Sequence, residues 1–154
     1  MPTQFLGCME NMYQAWISGF FSSVSQFASP TWVIKVEQCS GVGHLDLRLL
    51  SDDKAIIQEY KRIKLTKKDK ESGYGDSQRK RPTKAAEKGL GQIKIKGYRA
   101  WLPDQVIKLR EFGMAFLGPF CAIIDHSLEW EPGREWRIRN LYTVERNERH
   151  CDRL

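Results

Sequence analysis

Gly43-His44-Leu45-Asp46-Leu47-Arg48-Leu49-Leu50-Ser51-Asp52-Asp53-Lys54-Ala55-Ile56-Ile57-Gln58-Glu59-Tyr60-Lys61-Arg62-Ile63 is the stretch on which the fold turns. Leu45, Leu47 and Leu49 alternate with His44, Asp46 and Arg48, the period of a strand, and Ala55-Ile56-Ile57 opens a second apolar run rich in β-branched residues. Ser51-Asp52-Asp53 supplies the turn. A hairpin centred on Asp52 and Asp53 sets Asp46 across from Glu59 and carries Lys61 further along the same face.

Directly opposed residues have Cβ atoms about 5 Å apart, and like charges there repel. An Asp facing a Glu therefore calls for a cation. Two carboxylates suit Mg²⁺, which takes one or two of them, keeps several waters and completes its shell with phosphate oxygens. Lys61 beside such a metal stabilises phosphate charge or holds an attacking water. An ammonium is protonated at neutral pH, so service as a general base requires a lowered pKa, and charge stabilisation is the simpler role. The other reading of the same residues is a solvated hairpin face on which Glu59 and Lys61 neutralise each other.

Three segments in order, Gly43-His44-Leu45-Asp46-Leu47, then Ala55-Ile56-Ile57-Gln58-Glu59-Tyr60-Lys61, then Leu90-Gly91-Gln92-Ile93 followed by Tyr98, resemble the PD-(D/E)XK nuclease superfamily. Within it they are similar to the branch often found behind an AAA-ATPase-like domain, where a Gly-x-x-Asp strand, an Ile-Ile-x-Glu-Phe/Tyr-Lys strand and an Ala-Leu-x-Gln-Ile helix recur. The likeness spans roughly Glu10 to Ile124. It implies an α/β (α+β) fold with a restriction-endonuclease-like α-β-β-β-α-β core, a mixed sheet flanked by helices, here with extra C-terminal strands. It implies Mg²⁺ or Mn²⁺ held by Asp46, Glu59 and the Tyr60 backbone carbonyl, with Lys61 positioning water and Gln92 beside the metal. Glu10, in Glu10-x-x-Tyr13-x-x-Trp16-x-x-Gly19, resembles the first-helix Glu of related proteins that leans toward the metal, and equally suits a helix N-terminus on its own account.

The 154 residues fit one domain, here taken as 1–154 with its core over about 8–128. A hydrophobic share of 41% and a charged share of 29% are those of an ordinary globular chain, and the net charge of +6 favours an anionic partner, nucleic acid first, or serves solubility alone. DNA is the nucleic acid expected of a chain with this resemblance, although charge alone does not separate it from RNA. The resemblance adds an ATPase domain or partner. Cys8, Cys39, Cys121 and Cys151 form neither a zinc pattern nor a disulfide framework, which points to an intracellular setting, cytoplasmic or nuclear.

Met9, Met12, Tyr13, Trp16, Ile17 and Phe20 share one face of a helix expected over Cys8–Phe27, ending before Pro30. Its composition is that of neither a signal peptide nor a membrane span. Trp32, Ile34 and Val36 alternate through a first strand over Thr31–Gln38, and Gly41 and Gly43 break it.

Beyond Ile63 the chain turns basic, and 64–84 reads as a mobile loop whose Lys64, Lys67, Lys68, Arg79, Lys80, Arg81 and Lys84 would meet backbone phosphates, with Tyr74 as a stacking surface. A solvated linker and a nuclear-targeting cluster are the other readings of that segment. A second helix is expected over Lys84–Tyr98, carrying Lys84, Lys88, Gln92 and Lys96 at four-residue spacing, although Gly89 and Gly91 each cost about 1 kcal/mol there relative to Ala. Val106–Phe116 and Phe120–Leu128 read as buried strands, and Glu135–Val144 as an edge strand broken in period at Asn140, within a C-terminal extension over 129–154. His44, which shares a face with Asp46, His126 and His150 read as ordinary polar residues.

Overall fold

The hairpin forms as its alternation requires. Strands β2 (Gly43–Leu50) and β3 (Lys54–Arg62) pair antiparallel from Leu50↔Ala55 to Leu47↔Gln58. Ser51 N–H donates to the Lys54 carbonyl across the turn (2.9 Å). The computed structural model describes residues 19, 32–40, 43–64, 66, 67, 71, 76–117, 120–131, 133 and 135–147. The helix expected over Cys8–Phe27, with Glu10, lies outside them apart from Gly19, as do Lys68, Tyr74 and the side chains of His44 and Arg79.

Strand β1 (Val33–Ser40) pairs antiparallel with β2. Helix α1 (Asp76–Ile95) then carries the chain over the sheet, so β4 (Lys108–Leu117) returns parallel to β3, as a helical crossover requires. Antiparallel β5 (Phe120–Trp130) and β6 (Trp136–Asn147) complete a six-stranded sheet in chain order. The fold is thus a mixed α/β sheet with one long helix among the described residues, none of whose helices is long and apolar enough to cross a membrane.

Alternation divides the side chains between two faces. Ala55 and Ile57 of β3 bury with Leu109 and Ala115 of β4, Ala122 and Ile124 of β5, and Ala86, Leu90 and Ile93 of α1. On the opposite face Tyr60 packs with Leu47 and Leu49. Gly113 is what lets α1 lie so close: a Cβ there would stand 2.0 Å from the Ala86 carbonyl oxygen and 2.8 Å from the Leu90 nitrogen.

Two expectations are corrected. Helix α1 starts at Asp76, eight residues before the expected Lys84, so the second half of the supposed loop over 64–84 is helical. Charge density and Pro82 read as loop, but Pro82 is buried, and Arg81 Nη2 donates to the Lys64 carbonyl (3.3 Å), tying the first turns to the end of β3. Tertiary contacts outweigh the local penalty of an interior proline. The helix also ends earlier than Tyr98, because Gly97 takes a left-handed φ of 65° and its N–H caps the Lys94 carbonyl (3.1 Å). The break in period at Asn140 is a bulge: Ser127 pairs with Asn140 and Leu128 with Ile138, leaving Arg139 as the extra residue.

Candidate active site

Glu59 and Lys61 lie on the face that α1 covers, since a Cβ on Gly89 would meet the side chains of both. Glu59 is 2% exposed, and its Oε1 accepts from Lys61 Nζ (2.8 Å) and from Gln92 Nε2 (2.5 Å). Gln92 reaches it from near the C-terminal end of α1, and the same amide nitrogen lies 3.3 Å from the Tyr98 hydroxyl. Three residues expected from sequence to act together, Glu59, Lys61 and Gln92, therefore share one cluster.

Asp46 alternates with Leu47 and so faces α1 with Glu59. Regular pairing of β2 with β3 stops at Leu47↔Gln58, and one step beyond it the Tyr60 N–H donates to Asp46 Oδ2 (2.7 Å). The carboxylate has replaced a ladder carbonyl. In a strand the N–H and C=O of a residue point to the same neighbour, so the Tyr60 carbonyl is also directed to the side of β2 where the ladder opens. Hard oxygens from Asp46, Glu59 and Tyr60 thus belong to one corner of the sheet.

Electrostatics agree with this placement. Burial, then the Asp46 carboxylate, push the Tyr60 phenol well above the ordinary tyrosine range. Tyr98 is also raised, first by burial, with the charges of Glu59 and Asp46 adding to it and the Gln92 hydrogen bond opposing it. Two phenols on opposite faces of β3 both sense the same negative charge. Behind the corner, Tyr60 OH donates to Gln58 Oε1, which satisfies that buried polar pair.

The basic residues are less uniform than their spacing suggested. Lys64, Lys67, Lys80, Lys84 and Lys88 are exposed and available to phosphate. Arg81 is half-buried on the Lys64 carbonyl, and Lys96 is half-buried past the end of α1, so neither belongs to an open stripe. Among the described residues no group of three or more His, Cys, Asp and Glu converges, a count that Mg²⁺ does not require.

Sequence reasoning passed over Glu111 and Arg99. Glu111 is 1% exposed and takes a bidentate pair from Arg99, at 2.5 Å to Oε1 and 2.7 Å to Oε2. The signal was there: Glu111 occupies an inward position between Leu109 and Gly113, where a lone carboxylate needs a partner. Compared with known proteins, the chain matches no family model, no curated protein and no solved structure.

Proposed function

We propose that this chain is a metal-dependent nuclease of the PD-(D/E)XK kind, hydrolysing phosphodiester bonds in nucleic acid, with DNA as the first substrate. The observation that carries the reading is a buried Glu59 carboxylate met by Lys61 and Gln92 on the same face as Asp46. Two carboxylates brought to one side of a sheet corner repel unless a cation joins them. Asp46, Glu59 and the Tyr60 carbonyl form an all-oxygen donor set suited to Mg²⁺ or Mn²⁺, which when bound supplies Lewis acidity toward a phosphate oxygen and lowers the pKa of a bound water.

The chain's own residues supply the rest. Lys61, adjacent to the donor set, stabilises negative charge that develops on the phosphoryl oxygens. Gln92 fixes the Glu59 carboxylate by an amide hydrogen bond and thereby orients it. Lys64, Lys67, Lys80, Lys84 and Lys88 hold backbone phosphates without reading sequence, with Lys68 and Arg79 of the same basic segment as further contacts. The setting that suits this activity is intracellular, cytoplasmic or nuclear.

One observation favours a second reading. The 2.8 Å Lys61–Glu59 pair is the contact expected if these charges only neutralise each other, in a nuclease-fold module that binds nucleic acid or serves an ATPase partner without turnover. Incubation of the purified chain with supercoiled plasmid separates the two. Nicking with Mg²⁺ or Mn²⁺ that stops with EDTA is the expected result; retained plasmid binding with no nicking in either metal selects the binding module.

A further inference from the structure

The turn that follows α1 is held at successive residues, and the side chain it presents to solvent is a tryptophan. Tyr98–Trp101 form a 3₁₀ turn closed by Ala100 N–H to the Gly97 carbonyl (3.0 Å) and Leu102 N–H to the Arg99 carbonyl (3.2 Å). Tyr98 is fully buried and meets Gln92; Arg99 forks onto Glu111; the Trp101 carbonyl accepts from Arg48 Nη1 (3.1 Å). The Trp101 backbone is thus fixed from two strands and the helix, while its side chain is 62% exposed.

Position gives that exposure meaning. Arg48 lies two residues from Asp46 on the same face of β2, about 7 Å along the strand. Tyr98, three residues before Trp101, touches the amide that holds Glu59. The Trp101 backbone is therefore tied through Arg48 to the strand of Asp46 and through Tyr98 and Gln92 to Glu59, a support that loses little entropy when a ligand arrives. A flat, preorganised aromatic next to a phosphodiester site suits a nucleobase, and a base inside a continuous duplex has both faces already stacked.

We infer that Trp101 is a stacking platform for an unpaired base beside the scissile phosphate, so that single strands, frayed ends and the locally unpaired segments of a supercoiled plasmid, rather than relaxed continuous duplex, are the substrate class. The inference rests on the nuclease reading of the corner. Arg48 contributes by holding the platform, and the exposed lysines hold the backbone on either side.

Binding measured in EDTA separates this inference from the chemistry. The probes are a fluorescently labelled oligo-dT and a blunt hairpin duplex, titrated with wild type, Trp101→Ala and Trp101→Phe. Trp101→Ala should weaken oligo-dT binding roughly 10- to 100-fold and change hairpin binding by less than about twofold, while Trp101→Phe keeps most of the affinity. Equal losses on both probes, or no loss on oligo-dT, overturn the inference. Wild type that holds oligo-dT through Trp101 yet leaves every substrate uncut overturns the nuclease reading alone. Plasmid nicking together with a silent Trp101→Ala overturns the platform alone, and a wild type that binds neither probe overturns the platform whatever the nicking assay returns.

Discussion

Two glutamates lie under α1 at nearly the same depth, Glu59 on β3 at 2% exposure and Glu111 on β4 at 1%, and they are solved in different ways. Glu111 has each oxygen matched by one nitrogen of the Arg99 fork, a planar, permanently charged partner. Glu59 receives an ammonium and an amide, both on Oε1, and shares its face with a second carboxylate, Asp46. Burial of charge is common to both and so identifies neither as a reactive group. What differs is the partner: a bidentate guanidinium closes a carboxylate into structure, whereas a flexible Lys beside a like charge leaves a field that a cation can join.

That contrast breaks most visibly in cleavage. Asp46→Asn and Glu59→Gln each remove a formal charge from a small oxygen donor set at almost constant volume, so both should abolish plasmid nicking and weaken Mg²⁺ binding by calorimetry. Lys61→Ala keeps both carboxylates and should leave Mg²⁺ binding intact or tighter while the rate falls roughly 100- to 1,000-fold, the size of losing one electrostatic contact to the transition state. Wild-type cutting by Lys61→Ala, or normal Mg²⁺ use by Asp46→Asn, would merge the two glutamates into one structural class.

The Glu111 pair should fail in the opposite way. Glu111→Ala leaves the Arg99 guanidinium without its partner under α1, and loss of one member of a buried pair costs about 3–5 kcal/mol of stability. Urea unfolding should show that loss, and the double variant Arg99→Leu with Glu111→Leu should recover much of it, because two apolar groups leave no orphaned charge. Glu59→Gln should move the same midpoint far less. Equal midpoints for Glu111→Ala and wild type would show that the fork contributes little to the fold.

Glycines sharpen the comparison between the helix's contact with β4 and its open side. At Gly113 a Cβ would run into helix backbone, so Gly113→Ala should cost about 1–3 kcal/mol or more as α1 is pushed from the sheet. A Cβ added at Gly91 would meet nothing within 4 Å, and no contact explains the glycine there. Gly91→Ala should stabilise the helix by about 1 kcal/mol and leave nicking unchanged, both read from the same urea and plasmid assays.

The hairpin was legible because period 2 and a two-residue turn are local, and β2–β3 register follows from them. The grouping of Glu59, Lys61 and Gln92 was legible only through the motif likeness, since Gln92 is brought to Glu59 by the crossover of α1, which no local pattern specifies. The start of α1 was hidden for a physical reason: Arg79, Lys80 and Arg81 tolerate a helix but Pro82 locally opposes one, and burial of Pro82 with the Arg81–Lys64 contact decides the state of the segment. The rigid placement of Trp101 was equally hidden, because it depends on Arg48 and Glu111, both distant in sequence.

The smallest expected effect concerns His126, which pairs across the sheet with Glu111, whereas Glu59 pairs with Gly113. Burial lowers the His126 pKa from 6.5, Arg99 lowers it further, and Glu111 and Asp125 oppose that without cancelling it. A folded-state pKa below the unfolded value has a definite sign. Above pH 6.5 both states are neutral, so the contribution is fully present; as pH falls below that value the unfolded chain binds a proton first, and stability is lost down to the folded pKa. His126→Gln cannot titrate and should flatten this acid-side loss while leaving the neutral-pH midpoint close to wild type. Urea midpoints at about pH 5 and about pH 8 measure it. Parallel wild-type and His126→Gln curves would mean that the nearby carboxylates Glu111 and Asp125 offset the burial of His126 in full.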